Sequence, residues 1–238
     1  MKRFVRTPRG KFWYEPVYLY VGRKVIDRQI ALENLRDLVP VLNGAGVRSG
    51  PIFGSLLGIV RDHDFIAWDE DIDLYLLKED EPRFLELLWV LREKGFDLVR
   101  YDKRGLYSVM RRNEYIDFYV LRSVSPELRH TGGADFIFER YLQDTVELDF
   151  KGIPLRVPRD YEEYLSFTYG DWRTPRQYAD FNQNGFRIFL GKVRTFFKDL
   201  IPKSLYPCFI RLYRKKDLKK FLEKCEAKQI VLHEEIHL

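Results

Sequence analysis

Three aspartates and a glutamate crowd the end of the stretch FGSLLGIVRDHDFIAWDEDIDLYL, residues 53–76. Asp69, Asp71 and Asp73 occupy every second position, and apolar residues alternate with them from Ile72 onward. Carboxylates this close repel one another, and strands normally exclude aspartate. A hard divalent cation removes the repulsion because it prefers oxygen ligands. The spacing raises three alternatives: a solvated acidic turn, a calcium loop, or a metal site that serves a phosphorylated substrate.

Two-residue periodicity divides these carboxylates into two groups. Residues 72–77 alternate as a strand does, so Asp71 and Asp73 face one side while the apolar residues face the core. Asp69 and Glu70 precede the strand, and a solvated turn explains them equally well. Alternation therefore favours only the two strand aspartates as metal ligands.

A second predicted strand, residues 115–121, repeats this arrangement. Asp117 lies on its polar side, and the apolar residues on either side of it point inward. Two strands that each present carboxylates on one face can converge on one hard divalent cation. We therefore predict Asp71, Asp73 and Asp117 as the ligands of that cation.

A calcium loop of the EF-hand type fits the acidic stretch less well. A loop that begins at Asp69 would require glycine at position 74 and glutamate at position 80, where the chain has Leu74 and Asp80. A non-enzymatic module that binds a divalent cation through the acidic cluster stays open. That alternative leaves the preceding Gly54-Ser55 pair unexplained.

Gly54-Ser55 is predicted to supply the phosphate side of the same site. A short strand over residues 47–53 ends at this pair, and one or two helical turns over residues 56–61 follow it. A strand that opens into a helix offers free backbone N–H groups to a phosphate, and glycine permits close approach. Gly-Ser, then Asp-x-Asp on one strand and a third Asp on another, is the pattern of the nucleotidyltransferase fold of the DNA polymerase β type. The expected fold class is α/β (α+β), a mixed sheet flanked by helices.

Two longer motifs resemble the signature of the LicD/fukutin family. The first joins GSLLGIVR at residues 54–61 to FIAWDEDID at residues 65–73; the second joins VPRDYEEYL at residues 157–165 to YGDW at residues 169–172. The resemblance covers roughly residues 25–177. It departs from the common family pattern at a few positions, and none of these is a strand aspartate.

The resemblance implies a specific chemistry. Members of the family transfer a phosphorylated alcohol, such as phosphocholine or ribitol phosphate, from a CDP-linked donor to a glycan or lipid-linked glycan, and CMP leaves. Asp71 and Asp73 would then hold Mg²⁺, with Mn²⁺ as the alternative ion, across the donor diphosphate. Asp117 would join a second metal and help to activate the acceptor hydroxyl, so the resemblance implies these three aspartates as the catalytic residues. The same carboxylates would also serve a nucleotidyltransferase that transfers NMP from an NTP and releases pyrophosphate, so this alternative stays open.

Three further residues are predicted to bind substrate: Arg61, Asp69 and Tyr169. Arg61 leaves the short helix near the acidic loop and could hold a phosphate oxygen. A surface ion pair with Asp62 or Asp64 explains Arg61 equally well. Tyr169 belongs to the YGDW motif, which either lines the substrate pocket or docks a helix end on the sheet.

Periodicity and turn residues predict the surrounding elements. A helical stripe spans residues 25–42, and another helix begins after Asp80. Residues 122–135 are rich in Ser, Pro and Gly and are typical of a loop. Asp160 and Glu163 form a capping box at the start of a later helix. Two hairpins are predicted, with strands over residues 96–101, 106–111, 146–150 and 153–157.

The charge of the chain is concentrated near its C-terminus. Residues 187–238 carry thirteen Lys/Arg against six Asp/Glu, whereas the chain as a whole has a net charge of only +5. The slightly acidic remainder argues against a nucleic-acid partner. We expect a catalytic domain over residues 1–178 and a basic helical appendage over residues 179–238. The appendage either contacts an anionic membrane peripherally or packs on the body.

Composition predicts a packed globular protein in a reducing compartment. Hydrophobic residues make up 45% of the chain, and the two cysteines have no zinc-ligand spacing. No apolar run reaches the roughly 18 residues that span a bilayer. We therefore expect a cytoplasmic enzyme, with peripheral contact at the inner face of the membrane as an option.

Overall fold

Eleven strands and six helices are described in the structure, a computed structural model, which covers residues 2–20, 22–131, 135–177 and 206–237 with positions 185, 186, 188–191 and 193 between them. The strands are β1 (Arg3–Thr7), β2 (Gly10–Tyr14), β3 (Ser49–Pro51), β4 (Ile72–Leu77), β5 (Asp97–Asp102), β6 (Leu106–Arg111), β7 (Glu114–Ser123), β8 (Leu128–Thr131), β9 (Phe136–Phe138), β10 (Thr145–Phe150) and β11 (Ile153–Pro158). The helices are α1 (Arg28–Gly44), α2 (Phe53–Arg61), α3 (Glu81–Glu93), α4 (Arg140–Gln143), α5 (Tyr161–Tyr169) and α6 (Tyr206–Ala227), and a 3₁₀ turn covers Lys78–Asp80.

A seven-stranded mixed sheet forms the centre of the body. Five strands follow the order β3-β4-β7-β6-β5, and β8 pairs with the far end of β7 and with β9. The strands β4 and β7 run parallel, whereas the other pairs are antiparallel. The hairpins β1-β2 and β10-β11 lie outside this sheet. The predicted mixed α/β sheet flanked by helices is confirmed.

The two faces of β4 enter different parts of the core. Ile72 and Leu74 pack in a cluster with side chains of α1 and α3, whereas Tyr75 joins a second cluster with side chains of α2 and α5. The face that carries Asp73 is therefore the α2 and α5 side. Apolar burial on both faces fixes the register, because a slip of one residue would exchange the faces.

One predicted helix start and one predicted capping box differ from the structure. The first helix begins at Arg28 rather than at residue 25, because the carboxylate of Asp27 accepts hydrogen bonds from the backbone N–H groups of Gln29 and Ile30, both at 3.1 Å. The capping box at Asp160 is wrong. Glu163 instead accepts hydrogen bonds from Tyr141 and Arg140, at 2.8 and 2.7 Å.

The predicted loop over residues 122–135 is also wrong, because it contains β8. Three of the four residues of β8 are polar, yet all four are buried. Arg129 tolerates burial because it pairs with Glu79 at 2.8 Å and with Glu139 at 2.5 Å. Such long-range ion pairs leave no periodic pattern in the sequence.

The helix α6 packs against the body. Its residue Phe221 is buried, and the ring lies 5.3 to 5.5 Å from the rings of Phe136, Phe138 and Phe167. The predicted domain boundary at residue 178, and much of the first half of the predicted appendage, lie outside the described residues. Among the helices that the structure describes, none is long and apolar enough to cross a membrane.

Candidate active site

Asp71, Asp73 and Asp117 form one carboxylate cluster. A ligand oxygen from each of the three residues lies within 4.8 Å of the others. The parallel pairing of β4 with β7 explains the convergence, because Asp73 and Asp117 are partners in the register. Asp71 immediately precedes β4, on the same side of the strand. The structure thus brings together the three residues predicted as metal ligands.

The electrostatics of this cluster fit a divalent cation. Burial and then repulsion from Asp73 and Asp117 raise the pKa of Asp71 well above its usual range. Burial and then repulsion from Asp117 do the same to the pKa of Asp73. Asp117 Oδ1 is buried without a hydrogen-bond partner. An all-oxygen donor set with an unpartnered buried oxygen suits Mg²⁺ or Mn²⁺, and these three residues would hold it.

Arg100 contacts the carboxylate oxygen of Asp117 that is not free for a cation. This residue was not predicted from the sequence. Its Nη2 donates to Asp117 Oδ2, and its Nε donates to Ser108 Oγ at 2.7 Å. The three residues lie side by side across β5, β6 and β7. Burial raises the pKa of Asp117, and the charge of Arg100 opposes that rise. A register shift between Leu98 and Arg100 sets this alignment, and no sequence pattern indicated it.

Replacing Arg100 by glutamine is expected to destabilise the metal-free protein by roughly 3–5 kcal/mol, because the carboxylate of Asp117 then stays buried without the guanidinium that pairs with it. The double variant Arg100→Gln with Asp117→Asn should recover most of that loss. Urea denaturation of wild type, both single variants and the double variant would measure the coupling free energy. Additive losses would contradict a direct interaction between the two side chains.

Tyr119 is a second residue that the sequence analysis missed. It hydrogen-bonds the carboxylate of Asp73, and its ring packs edge-on against Phe53 at 5.2 Å. The negative charge of Asp73, followed by burial, raises the pKa of Tyr119, so the phenol remains a donor. Two-residue periodicity in β7 places Tyr119 on the same face as Asp117 and was the signal for it.

Gly54 and Ser55 lie in the first turn of α2, which corrects the expected strand end. The strand β3 stops at Pro51, and Phe53 reverses the chain with a φ of +49°, a strained value for a bulky residue. Ser55 Oγ accepts the backbone N–H of Asp73 at 2.7 Å, so the hydroxyl ties the helix to β4. The N–H groups of the first helical turn have no acceptor within the helix, so Gly54 and Ser55 can still offer theirs to a phosphate.

Asp69 lies beside the carboxylate cluster rather than in it. A Cβ atom at Gly54 would stand 2.9 Å from Asp69 Oδ2, so glycine makes room for this carboxylate. Burial raises the pKa of Asp69 to about 6, although the backbone N–H of Glu70 donates to it at 3.1 Å. Asp69 therefore connects the cluster with the pocket next to it.

That pocket has a volume of about 160 Å³ and contains most of the other predicted substrate residues. Its lining consists of Gly54, Leu57, Arg61, Ile66, Trp68, Asp69, Tyr169, Asp171, Trp172, Thr174 and Arg176. Arg61 makes the alternative ion pair, with two hydrogen bonds to Asp62 at 2.7 and 2.8 Å, and still borders the pocket. The indole N–H of Trp172 donates to Ser166 Oγ at 3.1 Å, so its buried ring also docks the end of α5.

The sequence around this site matches a known family of domains. Residues 51–160 match the family model described as LicD/FKTN/FKRP, nucleotidyltransferase domain. These residues resemble a nucleotidyltransferase domain of the LicD family, and we call residues 51–160 the LicD domain. Six of the eight predicted site residues fall in the two LicD elements α2 and β4 or between them, and Asp117 lies in β7, also within the match. Only Tyr169 lies beyond the matched residues.

Curated relatives of the LicD domain include two mammalian proteins. The proteins named ribitol 5-phosphate transferase FKRP from Mus musculus and Homo sapiens are each 32% identical over 171 residues. The match covers 65% of this chain but only 34% of either relative, so the chain spans about a third of their length. An uncharacterised protein of Rickettsia typhi is 25% identical over 123 residues, with 50% of this chain and 38% of that protein covered.

Solved structures of the antibiotic-resistance factor ANT(2″)-Ia are also similar. The crystal structure in complex with adenylyl-2″-tobramycin has a TM-score of 0.41 at 13% identity and covers 80% of this chain and 98% of that chain. The solution structure has a TM-score of 0.43 at 12% identity, with 85% and 98% covered.

The space at Gly54 gives a test of Asp69 in the LicD domain. Gly54→Ala is expected to change the unfolding free energy by less than about 1 kcal/mol, because only one side-chain oxygen must move. We expect the same variant to lower turnover about tenfold or more, because a displaced Asp69 misaligns the site. Gly44→Ala is the matched control, since a Cβ there meets nothing within 4 Å. Unchanged turnover in Gly54→Ala would remove Asp69 from the site.

Proposed function

We propose that this chain is a metal-dependent phosphotransferase that moves a phosphorylated alcohol from a CDP-linked donor to a glycan or lipid-linked glycan and releases CMP. The convergence of Asp71, Asp73 and Asp117 beside a pocket carries this proposal. The mammalian relatives are named as transferases of ribitol 5-phosphate, which supports a polyol phosphate as the transferred unit, and a phosphocholine-like group is the alternative. Which alcohol is transferred depends on the pocket next to Asp69.

The chain would divide the chemistry between its carboxylates and its helix end. A divalent cation held by the three aspartates would offset the negative charge of the donor diphosphate as CMP leaves. The first turn of α2 directs backbone N–H groups and the positive end of the helix dipole at the same phosphates. Gly54 allows the phosphate to approach the backbone closely.

Neighbouring residues hold the carboxylates in position. Arg100 fixes one oxygen of Asp117 and leaves Oδ1 for the cation and the acceptor. Tyr119 holds the side chain of Asp73, and the Ser55 hydroxyl holds its backbone N–H. Asp117 would accept the proton of the acceptor hydroxyl, because its Oδ1 is buried and unpartnered. Preorganised groups of this kind need little rearrangement during the reaction.

Product analysis tests the proposal and its alternative together. The protein is incubated with Mg²⁺, a glycan acceptor and CDP-ribitol, CDP-glycerol or CDP-choline, and in parallel with the acceptor and each NTP, while CMP and pyrophosphate are followed. Release of CMP from a CDP-alcohol, absent with EDTA, is the expected result. Pyrophosphate from an NTP with no CMP from any CDP-alcohol would instead establish a nucleotidyltransferase of the NMP-transferring kind.

A further inference from the structure

A second charged cluster lies at the opposite end of β7. It consists of Arg122 of β7, His130 of β8, and Arg214 and Asp217 of α6, and we call it the β7–α6 cluster. Arg122 and His130 are direct partners in the antiparallel register. The ring nitrogen Nε2 of His130 lies 3.4 Å from Asp217 Oδ2. Arg214 precedes Asp217 by one helical turn, so α6 brings a second guanidinium to the same place.

Both guanidinium groups of the cluster have unsatisfied donors. Arg122 Nε and Arg214 Nε are buried without a hydrogen-bond partner. Within the part of the chain that the structure describes, neither side chain forms an ion pair with a carboxylate. A buried donor without an acceptor loses its hydration and gains nothing in return. The fold thus holds two guanidinium groups close together although their burial is unfavourable.

Other groups that face the cluster do not cancel this positive charge. Arg104 is paired with Asp102 at 2.8 Å, so this ion pair adds no net charge. Burial, and then the charges of Arg214, Arg104 and Arg122, lower the pKa of His130 to about 4, so the imidazole is neutral at pH 7. Burial and Arg122 also lower the pKa of Arg214. Asp217 contacts His130 and is the one carboxylate of the cluster.

We propose that the β7–α6 cluster binds a phosphate-type anion through the guanidinium groups of Arg122 and Arg214. A guanidinium matches phosphate geometry and donates two parallel hydrogen bonds to it. Both arginines are half-buried, so a small anion reaches them from solvent. The phosphate oxygens would accept the donors that the fold leaves unsatisfied.

This site is separate from the carboxylate cluster. Arg122 stands five residues after Asp117 along β7, which is about 16 Å at the rise of a strand. The odd spacing places the two side chains on opposite faces of the sheet. The proposal therefore does not depend on the proposed phosphotransferase function. The phosphate could belong to a soluble molecule or to the headgroup of an anionic lipid.

Calorimetric titration of the full chain with inorganic phosphate and pyrophosphate tests the proposal. EDTA is present and the ionic strength is constant, so that no cation draws phosphate to the three aspartates. We expect wild type to bind, and Arg122→Gln and Arg214→Gln each to weaken binding about tenfold or more. Lys219→Gln is the matched control, because this basic side chain of α6 is 81% exposed. Its affinity should stay unchanged.

Three outcomes would overturn the proposal. They are no binding of phosphate or pyrophosphate by wild type, binding by both arginine variants that is as tight as that of wild type, or a loss of affinity in Lys219→Gln as large as in the arginine variants. A melting curve identifies a variant that does not fold. In that case the wild-type titration is the test, and absence of binding by wild type overturns the proposal. Co-sedimentation with phosphatidylglycerol vesicles, against phosphatidylcholine vesicles, distinguishes the sources of the phosphate. Vesicle binding that needs Arg122 and Arg214 identifies a lipid headgroup as the ligand. Binding of inorganic phosphate without binding to the vesicles identifies a soluble ligand.

Discussion

Asp73→Asn is expected to abolish turnover while it stabilises the metal-free protein. Turnover should fall about a thousandfold or more, since a lost metal ligand removes several kcal/mol of transition-state stabilisation. Stability should rise by about 1–3 kcal/mol, because a carboxylate with a strongly raised pKa carries a charge that the fold disfavours. The opposite signs are informative, because a merely structural aspartate would lower both quantities.

The measurement combines CMP release with urea denaturation in EDTA. Asp97→Asn is the control, since that side chain is 69% exposed and lies on β5 away from the cluster. It should change neither quantity by much. An Asp73→Asn variant that keeps its turnover, or that is less stable than wild type without metal, would contradict the assigned role of Asp73.

Divalent cations should stabilise the protein most at neutral and higher pH. Burial raises the pKa values of Asp69, Asp71, Asp73 and Asp117 in the folded state. Above the unfolded value near pH 4, the folded state therefore binds more protons than the unfolded state, and stability falls as pH rises. That loss continues through about pH 6, where Asp69 titrates. The metal-free protein should thus be more stable at pH 5 than at pH 8.

Saturating Mg²⁺ or Mn²⁺ should reverse this loss. At a cation concentration 100 times Kd the gain is about 2.7 kcal/mol, and each kcal/mol raises Tm by roughly 2–4 °C in a chain of this size. The cation effect should be small at pH 5, where protons compete for the carboxylates. Thermal unfolding at both pH values, with EDTA or Mn²⁺, measures it, and Asp73→Asn should not respond. A Tm that rises equally in the variant would place the cation elsewhere.

Local alternation was sufficient to predict the central part of the site. The strand β4 has the predicted bounds, and strict apolar alternation identified Asp71, Asp73 and Asp117 without knowledge of the pairing. A buried face permits only one register, so the pattern of one strand determines where its polar residues point. Which strands are neighbours was not encoded locally. The β4–β7 pairing that brings the carboxylates together came from the resemblance to a known fold.

The residues that the sequence did not reveal depend on distant partners. Arg100 reaches Asp117 across an intervening strand, and a register shift in β5 determines its alignment. Three of the four residues of the strand β8 are polar, and Arg129 among them tolerates burial because it pairs with two distant carboxylates. The first turn of α2 begins earlier than the Gly-Ser pair suggested, because Phe53 adopts a positive φ. None of these features has a period that a single segment could show.

The most direct test of the account asks whether the three aspartates hold the catalytic cation. Electron paramagnetic resonance follows free Mn²⁺ as it is titrated into wild type, Asp73→Asn and Asp117→Asn at pH 8. We expect wild type to remove at least one equivalent of the free Mn²⁺ signal and both variants to lose this binding. Equal Mn²⁺ binding by wild type and both variants would contradict it.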